Sequence, residues 1–252
     1  MSGHLILKRE EATSSYLDEI RMPRAKQAPL EELRSEIVNC RLCPRLVSFR
    51  ESVPARAAFR SQEYWRMPIA GFGDPDAWLV VVGLAPAAHG GNRTGRMFTG
   101  DESAKFLMRV LHKAGFANQP TSSSRYDGLR LNGCYITAAV RCAPPGDKPT
   151  TREFANCSSY LDRELELLPN LRAVITLGHL AFKAYLGHVA RREGSKLRGV
   201  KFAHGTHLHV PGRPRIYCSY HPSPRNTYTG RLSEKMLLEV FEEAKRDRPR
   251  AP

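Results

Sequence analysis

The chain has 252 residues, of which 41% are hydrophobic and 25% are charged, so it can bury a sizeable core and is not disordered as a whole. Its 39 lysines and arginines outnumber its 25 aspartates and glutamates, and the resulting formal net charge of +14 attracts polyanions. This charge leaves nucleic acid, a ribosome, a membrane surface and a merely basic surface open as explanations.

The sequence predicts no membrane span. Its longest apolar run, residues 78–88, is interrupted by Gly83 and Pro86 and is shorter than the roughly 20 residues that a membrane helix requires. The N-terminal segment places acidic residues right behind a short apolar patch, unlike a secretory signal. We therefore expect a cytoplasmic protein.

Strands and helices alternate along the predicted fold. Residues 1–30 are expected to form a partly ordered N-terminal arm and residues 31–252 a single domain, with a short helix over 30–38 at their junction. The continuous apolar run 78–82 predicts a strand that is buried on both faces of a parallel sheet. The segment Thr99-Gly-Asp-Glu102 has the spacing of a capping box, and the apolar residues behind it keep a helical period.

The same alternation continues to the C-terminus. The later predicted elements are a strand over 134–140, a helix opened by a capping box at Thr150 and Glu153, a strand over 173–177, a helix over 179–186, a strand over 215–220 and a helix over 233–244. We therefore predict an α/β fold, a three-layer α/β/α sandwich around a central, mostly parallel four-stranded sheet.

The loop 83–101 is the first candidate functional segment. Ligands of open parallel sheets bind beyond the carboxyl ends of the strands, where this glycine-rich loop is expected to lie. Gly90 and Gly95 have the glycine spacing of a phosphate loop, but Arg96 and Met97 replace the lysine and the serine or threonine that such a loop needs. This mismatch disfavours an ATPase and leaves a merely flexible glycine loop as the alternative.

A second loop, residues 220–230, follows the last predicted strand and should reach the same edge of the sheet. His221 can donate a hydrogen bond to a carbonyl that gains negative charge, Phe98 offers a flat apolar face, and Asn92 can position water or stabilise a positive charge. Taken singly, the histidine could be a satisfied polar residue and the phenylalanine a core residue. We predict that the two loops bring Phe98 and His221 to the same side of the molecule.

The two loops resemble a known family. Gly83-Leu-Ala-Pro-Ala-Ala-His-Gly with Arg93-Thr-Gly-Arg-Met-Phe-Thr-Gly-Asp101, and His221-Pro-Ser-Pro-Arg-Asn226, are similar to the two signature motifs of the family 5, type B, uracil-DNA glycosylases. The resemblance runs from about Cys40 to Ala244. It implies a monomeric, nucleoid-associated repair enzyme that hydrolyses the N-glycosidic bond of uracil, and also of hypoxanthine and xanthine, in DNA. Such an enzyme leaves an abasic site and has no lyase step.

The resemblance also implies roles for individual residues. The expected catalytic residues are Asn92 and His221, the expected base-binding residues are Gly83, Leu84, Ala85, Phe98 and Ala138, and the expected DNA-binding residues are Ser223, Arg225, Tyr228 and Arg231. Ala85 stands where the best-known superfamily members carry a water-orienting carboxylate, and Ala138 stands near the place of a base-reading asparagine in the other iron–sulfur type. Asp101 is a competing carboxylate, with helix capping as its alternative role.

Four cysteines form a candidate metal site. Cys40 and Cys43 make a C-x2-C pair, and fourteen residues separate Cys142 from Cys157. Their spacing is compatible with zinc or with an iron–sulfur cluster. The resemblance implies a 4Fe-4S cluster on these four residues, with a structural rather than a redox role.

Other polar and cysteine residues receive weaker assignments. Cys134 and Cys218 fall within predicted strands and are expected to be buried as small apolar residues. The histidines at 204, 207 and 209 lack further metal ligands nearby and are expected in a polar segment that touches DNA. The basic residues Arg191, Arg192, Lys196, Arg198 and Lys201 could bind phosphates or form a solvated loop.

Two rival functions remain at the level of the sequence. One is a catalytically silent iron–sulfur protein that binds nucleic acid and senses damaged bases. The other is a redox protein that uses the cluster for electron transfer.

Overall fold

The computed structural model of the chain describes residues 24–194 and 199–249. Within them lies a six-stranded sheet of order β1-β3-β2-β4-β6-β5. The strands are β1 (Phe72–Gly73), β2 (Leu79–Gly83), β3 (Cys134–Ala138), β4 (Ala173–Leu177), β5 (His207–Leu208) and β6 (Arg215–Ser219). Most of the predicted N-terminal arm, residues 1–23, lies outside the described residues.

The four central strands are parallel, as predicted. Gly83 of β2 pairs with Ala138 of β3, and Thr176 of β4 pairs with Cys218 of β6. The two-residue strands β1 and β5 add to the edges in antiparallel orientation. They were not predicted, because two residues carry no periodic pattern, and they enlarge the predicted four-stranded sheet to six strands.

Eight α-helices surround the sheet in the described part of the chain. They are α1 (Arg24–Val38), α2 (Pro44–Ser52), α3 (Gly91–Thr94), α4 (Glu102–Lys113), α5 (Thr151–Glu166), α6 (His179–Glu193), α7 (Pro224–Thr227) and α8 (Glu234–Ala244). Short 3-10 turns occupy residues 57–59, 145–147 and 245–247. Among the described residues, no helix is long and apolar enough to span a membrane.

Alternation of side chains along β2 creates the two halves of the core. Leu79 and Val81 face the layer formed by α4 and α8. Val80 and Val82 face the opposite layer, which contains α1, α5 and α6. Since successive side chains of a strand point to opposite faces, an entirely apolar strand requires helices on both sides. The predicted three-layer α/β/α sandwich is therefore confirmed.

The observed helix boundaries confirm one predicted helix cap and correct other predictions. The capping box of Thr150 and Glu153 is present at the start of α5. The box predicted at Thr99 is wrong, because the carboxylate of Asp101 accepts the hydrogen bond of Ala104 N at 2.8 Å and caps α4 instead. Two helices are longer than predicted, since α1 begins at Arg24 and α6 continues to Glu193.

Candidate active site

The end of β2 leaves two backbone donors unused. Ala139 N donates to Gly83 O at 3.0 Å and Val140 N donates to Leu84 O at 2.9 Å, so the residues that follow β3 take up the two carbonyls. The amides of Leu84 and Ala85 have no acceptor among the described residues. They therefore lie at the carboxyl end of a buried parallel strand as free hydrogen-bond donors.

Phe98 and His221 lie together beside this strand end. Their ring centroids are 6.0 Å apart with an interplanar angle of 31°, which confirms that the two motif loops converge. Phe98 has a left-handed backbone with φ of +46°, a conformation that is uncommon for a residue other than glycine. A Cβ atom on Gly83 would meet the Phe98 ring at 2.8 Å, so the absence of a side chain there lets the ring lie against the backbone. Phe98 therefore has a strained backbone, and its ring packs against the end of β2 because residue 83 is glycine.

His221 is neutral at physiological pH. Desolvation lowers the pKa of its imidazole from 6.5 to about 4. Its carbonyl accepts a hydrogen bond from Asn226 Nδ2 at 2.8 Å, which fixes the turn that presents the ring. A neutral imidazole has one N–H donor and one acceptor nitrogen, so this residue can hold a carbonyl oxygen without bringing a positive charge into the pocket.

Asn92 is buried within the first motif loop. It is fully buried in α3, and its Nδ2 donates to Arg50 O in α2 at 3.1 Å. Its Oδ1 has no hydrogen-bond partner among the described residues. The amide is therefore anchored on the α2 side of the loop, with one buried acceptor unused.

Asp101 is the carboxylate at the end of the same loop. Its Oδ1 caps α4, and the side chain lies against Gly90, where a Cβ atom would collide with Oδ2. Burial raises the pKa of Asp101, while the N–H groups of Ala104 and Ser103 and the charge of Arg93 act in the opposite direction. The predicted capping role is confirmed.

Two buried arginines that the sequence analysis did not assign hold the loop together. Arg93 donates to His89 O at 2.8 Å and to Gly100 O at 2.7 Å. Arg96 donates to Thr99 Oγ1 at 2.9 Å and to both carboxylate oxygens of Asp127 at 2.9 Å. Both side chains turn inward, so these arginines shape the loop. No pattern in the sequence indicated that these two arginines are buried.

The remaining predicted base-binding residues line the same region. Ala138 is buried directly opposite Gly83 in the β2–β3 register. Ala85 is partly buried and packs against a small core made by Leu46, Val140, Cys142 and Cys157. The loop that carries the free amides thus rests on the cysteine region.

The predicted DNA-binding residues lie on and just after α7. Arg225 and Tyr228 are exposed, Tyr228 to 75%. Arg231 stacks over Tyr220 with its guanidinium carbon 4.5 Å from the ring centroid. Ser223 precedes α7, and its side chain makes no cap. The four residues therefore follow His221 within ten positions of the chain.

The four predicted cysteine ligands are neighbours. All are free thiols, and Cys142 and Cys157 are buried beside Cys43. Burial raises the pKa of Cys142 to about 12, and the nearby Cys157, Cys40 and Cys43 act in the same direction. Burial also raises the pKa of Cys157 to about 11, an effect that a hydrogen bond from the backbone N–H of Arg141 opposes. Among the described residues, no three His, Cys, Asp or Glu side chains are arranged to hold a single metal ion.

The other residues singled out in the sequence have structural surroundings. Cys134 and Cys218 are fully buried in strands, as predicted. His204 stacks on Tyr220 at 5.0 Å and accepts its backbone N–H, whereas His207 lies 3.2 Å from Glu243.

The predicted basic patch is partly neutralised within the protein. Arg191 forms an ion pair with Asp162, and Arg192 forms one with Glu166. Lys196 and Arg198 lie outside the described residues. The paired arginines are therefore poorly suited to bind phosphates.

Comparison with known proteins agrees with this arrangement. Residues 70–245 match the family model of the Uracil DNA glycosylase superfamily. The type-5 uracil-DNA glycosylase of Thermus thermophilus is 51% identical over 208 residues, which cover 82% of this chain and 93% of that protein. The type-5 enzymes of Pyrobaculum aerophilum and Mycobacterium leprae are 47% and 46% identical, and each alignment covers 86% of this chain and over nine-tenths of the relative. The chain therefore belongs to the uracil-DNA glycosylase superfamily, with type-5 uracil-DNA glycosylases as its relatives.

Proposed function

We propose that this chain removes uracil from DNA by hydrolysing the N-glycosidic bond, leaving an abasic site. The observation that carries the proposal is the meeting of Phe98 and His221 beside the free amides at the end of β2. A base taken out of the helix can stack on Phe98 while its carbonyls accept hydrogen bonds from these donors. The relatives described above have the matching activity in their names.

The donors suit the charge that develops during the reaction. As the glycosidic bond stretches, negative charge moves onto the departing base and the sugar becomes positive. Fixed N–H groups stabilise that anion more than the neutral base, and so they lower the barrier. Because His221 is neutral, it acts here as a hydrogen-bond donor and adds no positive charge beside the developing sugar cation.

The attacking water has an acceptor in Asn92. The unused Oδ1 of this buried amide can accept a hydrogen bond from a water and orient it, although an amide does not remove the proton as a carboxylate would. Its partial negative charge would also stabilise the sugar cation. We therefore retain Asn92 as the water-positioning residue and Asp101 as the helix cap.

We further propose that the pocket accepts hypoxanthine and xanthine. Ala85 and Ala138 present only methyl groups at two places around the strand end, so few side-chain donors read the edge of the base. A pocket that depends on stacking and backbone donors discriminates weakly between bases. Neither motif loop, 83–101 nor 220–231, contains a lysine that could form a Schiff base, and this supports a monofunctional enzyme with no lyase step.

We also propose that Cys40, Cys43, Cys142 and Cys157 hold a 4Fe-4S cluster. Four free thiols, from the start of α2, the loop after β3 and the middle of α5, form the donor set, and the effect of Cys40, Cys43 and Cys157 on the pKa of Cys142 supports their proximity. Thiolate-rich sets of this kind suit iron–sulfur clusters. When bound, the group would supply a structural cross-link. Iron and acid-labile sulfide analysis of the purified protein, with Cys157→Ser as the comparison, tests this assignment.

The activity test uses duplexes that contain one uracil or one hypoxanthine, cleaved by alkali after incubation under single-turnover conditions. We expect the wild type to cleave both, and His221→Ala and Asn92→Ala to lose at least a factor of about 100 in rate. His112→Ala, on the exposed face of α4, is the matched control and should stay at the wild-type rate. Binding without cleavage by the wild type would identify a silent damage sensor instead. Cleavage of uracil alone would refute the broad specificity.

A further inference from the structure

We propose that the tip of the loop between α4 and β3, residues 122–127, forms with Trp65 a second DNA-contacting surface that holds a nucleotide flanking the lesion. This inference rests on the proposed function. It adds a binding surface that lies outside both motifs and that the sequence analysis did not identify.

The loop tip is locked to the first motif loop. Arg96 of the motif binds Asp127 through two hydrogen bonds of 2.9 Å and Ser122 Oγ through one of 3.0 Å. Gly100 N donates to Ser122 O at 2.8 Å, and Thr99 Oγ1 lies 2.8 Å from Ser122 Oγ. The ion pair is largely shielded from water. The tip therefore holds a fixed position relative to Phe98, two residues beyond Arg96.

Asp127 also makes the tip rigid from within. Its carboxylate accepts hydrogen bonds from Ser123 N at 2.7 Å, Ser124 N at 3.2 Å and Leu129 N at 3.1 Å. Arg96 lowers the pKa of this carboxyl even though burial acts in the opposite direction. The turn is thus ordered before any ligand binds, which reduces the entropy lost on binding.

The ordered tip presents an arginine between two aromatic rings. The guanidinium carbon of Arg125 lies 4.3 Å from the Trp65 ring centroid and 4.7 Å from that of Tyr126. Among the described residues, no acceptor is hydrogen-bonded to the guanidinium N–H groups of Arg125. Tyr126 is 60% exposed. The stack therefore offers unused donors and a solvent-facing aromatic ring.

The stack lies beside the proposed active site. Trp65 N donates to Arg93 O at 3.0 Å, next to Asn92 in the chain. Gly95, with φ of +81°, ends α3 in a left-handed conformation, and a Cβ atom there would meet Trp65 at 3.0 Å and Arg125 at 3.2 Å. The first motif loop therefore supports the catalytic residues on one side and the aromatic stack on the other.

DNA is the ligand that fits these groups. Every base has a face that can stack on an exposed aromatic ring, and a phosphate oxygen can accept the N–H groups of an arginine. A purely structural stack would secure the loop, but Arg96 and Asp127 already do so from the interior. That role explains neither the exposed Tyr126 ring nor the guanidinium N–H groups of Arg125, which have no hydrogen-bond acceptor among the described residues.

The test compares Tyr126→Ala with Tyr126→Phe, which keeps the ring. Dissociation constants are measured on duplex and single-stranded DNA that carries a stable abasic-site analogue. Tyr126→Ala should bind at least about fivefold more weakly, as expected for the loss of one base stack, while Tyr126→Phe should stay near the wild type. Shortening the strand one nucleotide at a time from each end should abolish this difference when the contacted nucleotide is removed. Thermal unfolding of all three proteins should be similar, because Tyr126 is exposed.

A salt series tests the phosphate contact separately. Arg125→Gln should reduce the slope of log K against log salt by about 0.9 for duplex DNA, the effect of one lost phosphate contact. Arg172→Gln, which removes an exposed charge at the amino end of β4, opposite the end of the strands that carries the motif loops, should change the slope little. Equal binding by Tyr126→Ala and wild type on every strand would overturn the proposal even if uracil is excised normally. If the wild type excises no uracil, the proposed function fails and the binding data decide the surface independently.

Discussion

The substitution Gly83→Ala tests whether the Phe98 ring must lie against the end of β2. An added Cβ would meet two ring carbons of Phe98 at 2.8 and 3.0 Å. Since ordinary contact begins near 3.4 Å, the ring must retreat by about 0.6 Å, and the left-handed backbone of Phe98 leaves little freedom for that movement. A misplacement of about 1 Å can cost about 100-fold in rate, so we expect an approximately tenfold loss in single-turnover excision of uracil. Overpacking should also lower the free energy of unfolding by about 1–3 kcal/mol.

Two controls separate misplacement from general destabilisation. Gly187→Ala, in α6, adds the same methyl group, but its nearest contact is the flexible end of Arg191 at 3.2 Å, and excision should remain at the wild-type rate. In a Phe98→Ala background, Gly83→Ala should cost little further activity, because the two changes act through one contact. Additive losses in the double variant, or an unchanged rate for Gly83→Ala alone, would refute the argument.

Three further predictions concern titration, a buried ion pair and the competing carboxylate. As pH falls from about 6.5 to 4, His221 takes up a proton in the unfolded chain but not in the folded protein, where burial lowers its pKa. The free energy of unfolding should therefore fall by up to about 3 kcal/mol over this range. In urea titrations, His221→Gln should lose that part of the pH dependence. Glu164→Gln leaves the buried Arg141 without its charged partner at 2.7 Å and should cost about 3–5 kcal/mol in urea unfolding. Arg141→Met with Glu164→Leu should recover only part of it, because Gly71 N and Thr137 Oγ1 lose their buried acceptor. Asp101→Asn should excise uracil within a few-fold of wild type because asparagine also caps helices, and Asp101→Ala should lose about 1 kcal/mol of stability. An inactive but stable Asp101→Asn would assign water activation to Asp101 instead of Asn92.

Local patterns predicted much of the fold because they reflect forces that act over a few residues. The apolar run of β2 requires burial on both faces, and the Thr150–Glu153 pair satisfies the first turn of α5. The convergence of Phe98 and His221 was also predictable, since both follow the carboxyl ends of parallel strands. Sequence patterns did not predict the roles of side chains whose positions depend on tertiary contacts. Thr99 does not cap α4, because its Oγ1 accepts a hydrogen bond from Arg96. Arg96 in turn pairs with Asp127, 31 residues away in the chain, and no periodic pattern indicates that contact.

The pocket and the cysteine region share one stretch of backbone, and this links the proposed cluster to the position of the catalytic donors. Ala139 and Val140 bind the carbonyls of Gly83 and Leu84, and Cys142 follows two residues later. On the other side, Ala85 packs against the core that contains Cys142 and Cys157. A group held by the four thiols would therefore fix residues 139–142, and through them the free amides of Leu84 and Ala85. Such a group can be essential for the geometry of the pocket without exchanging an electron, because fixed donors stabilise a developing anion only if they do not have to reorganise.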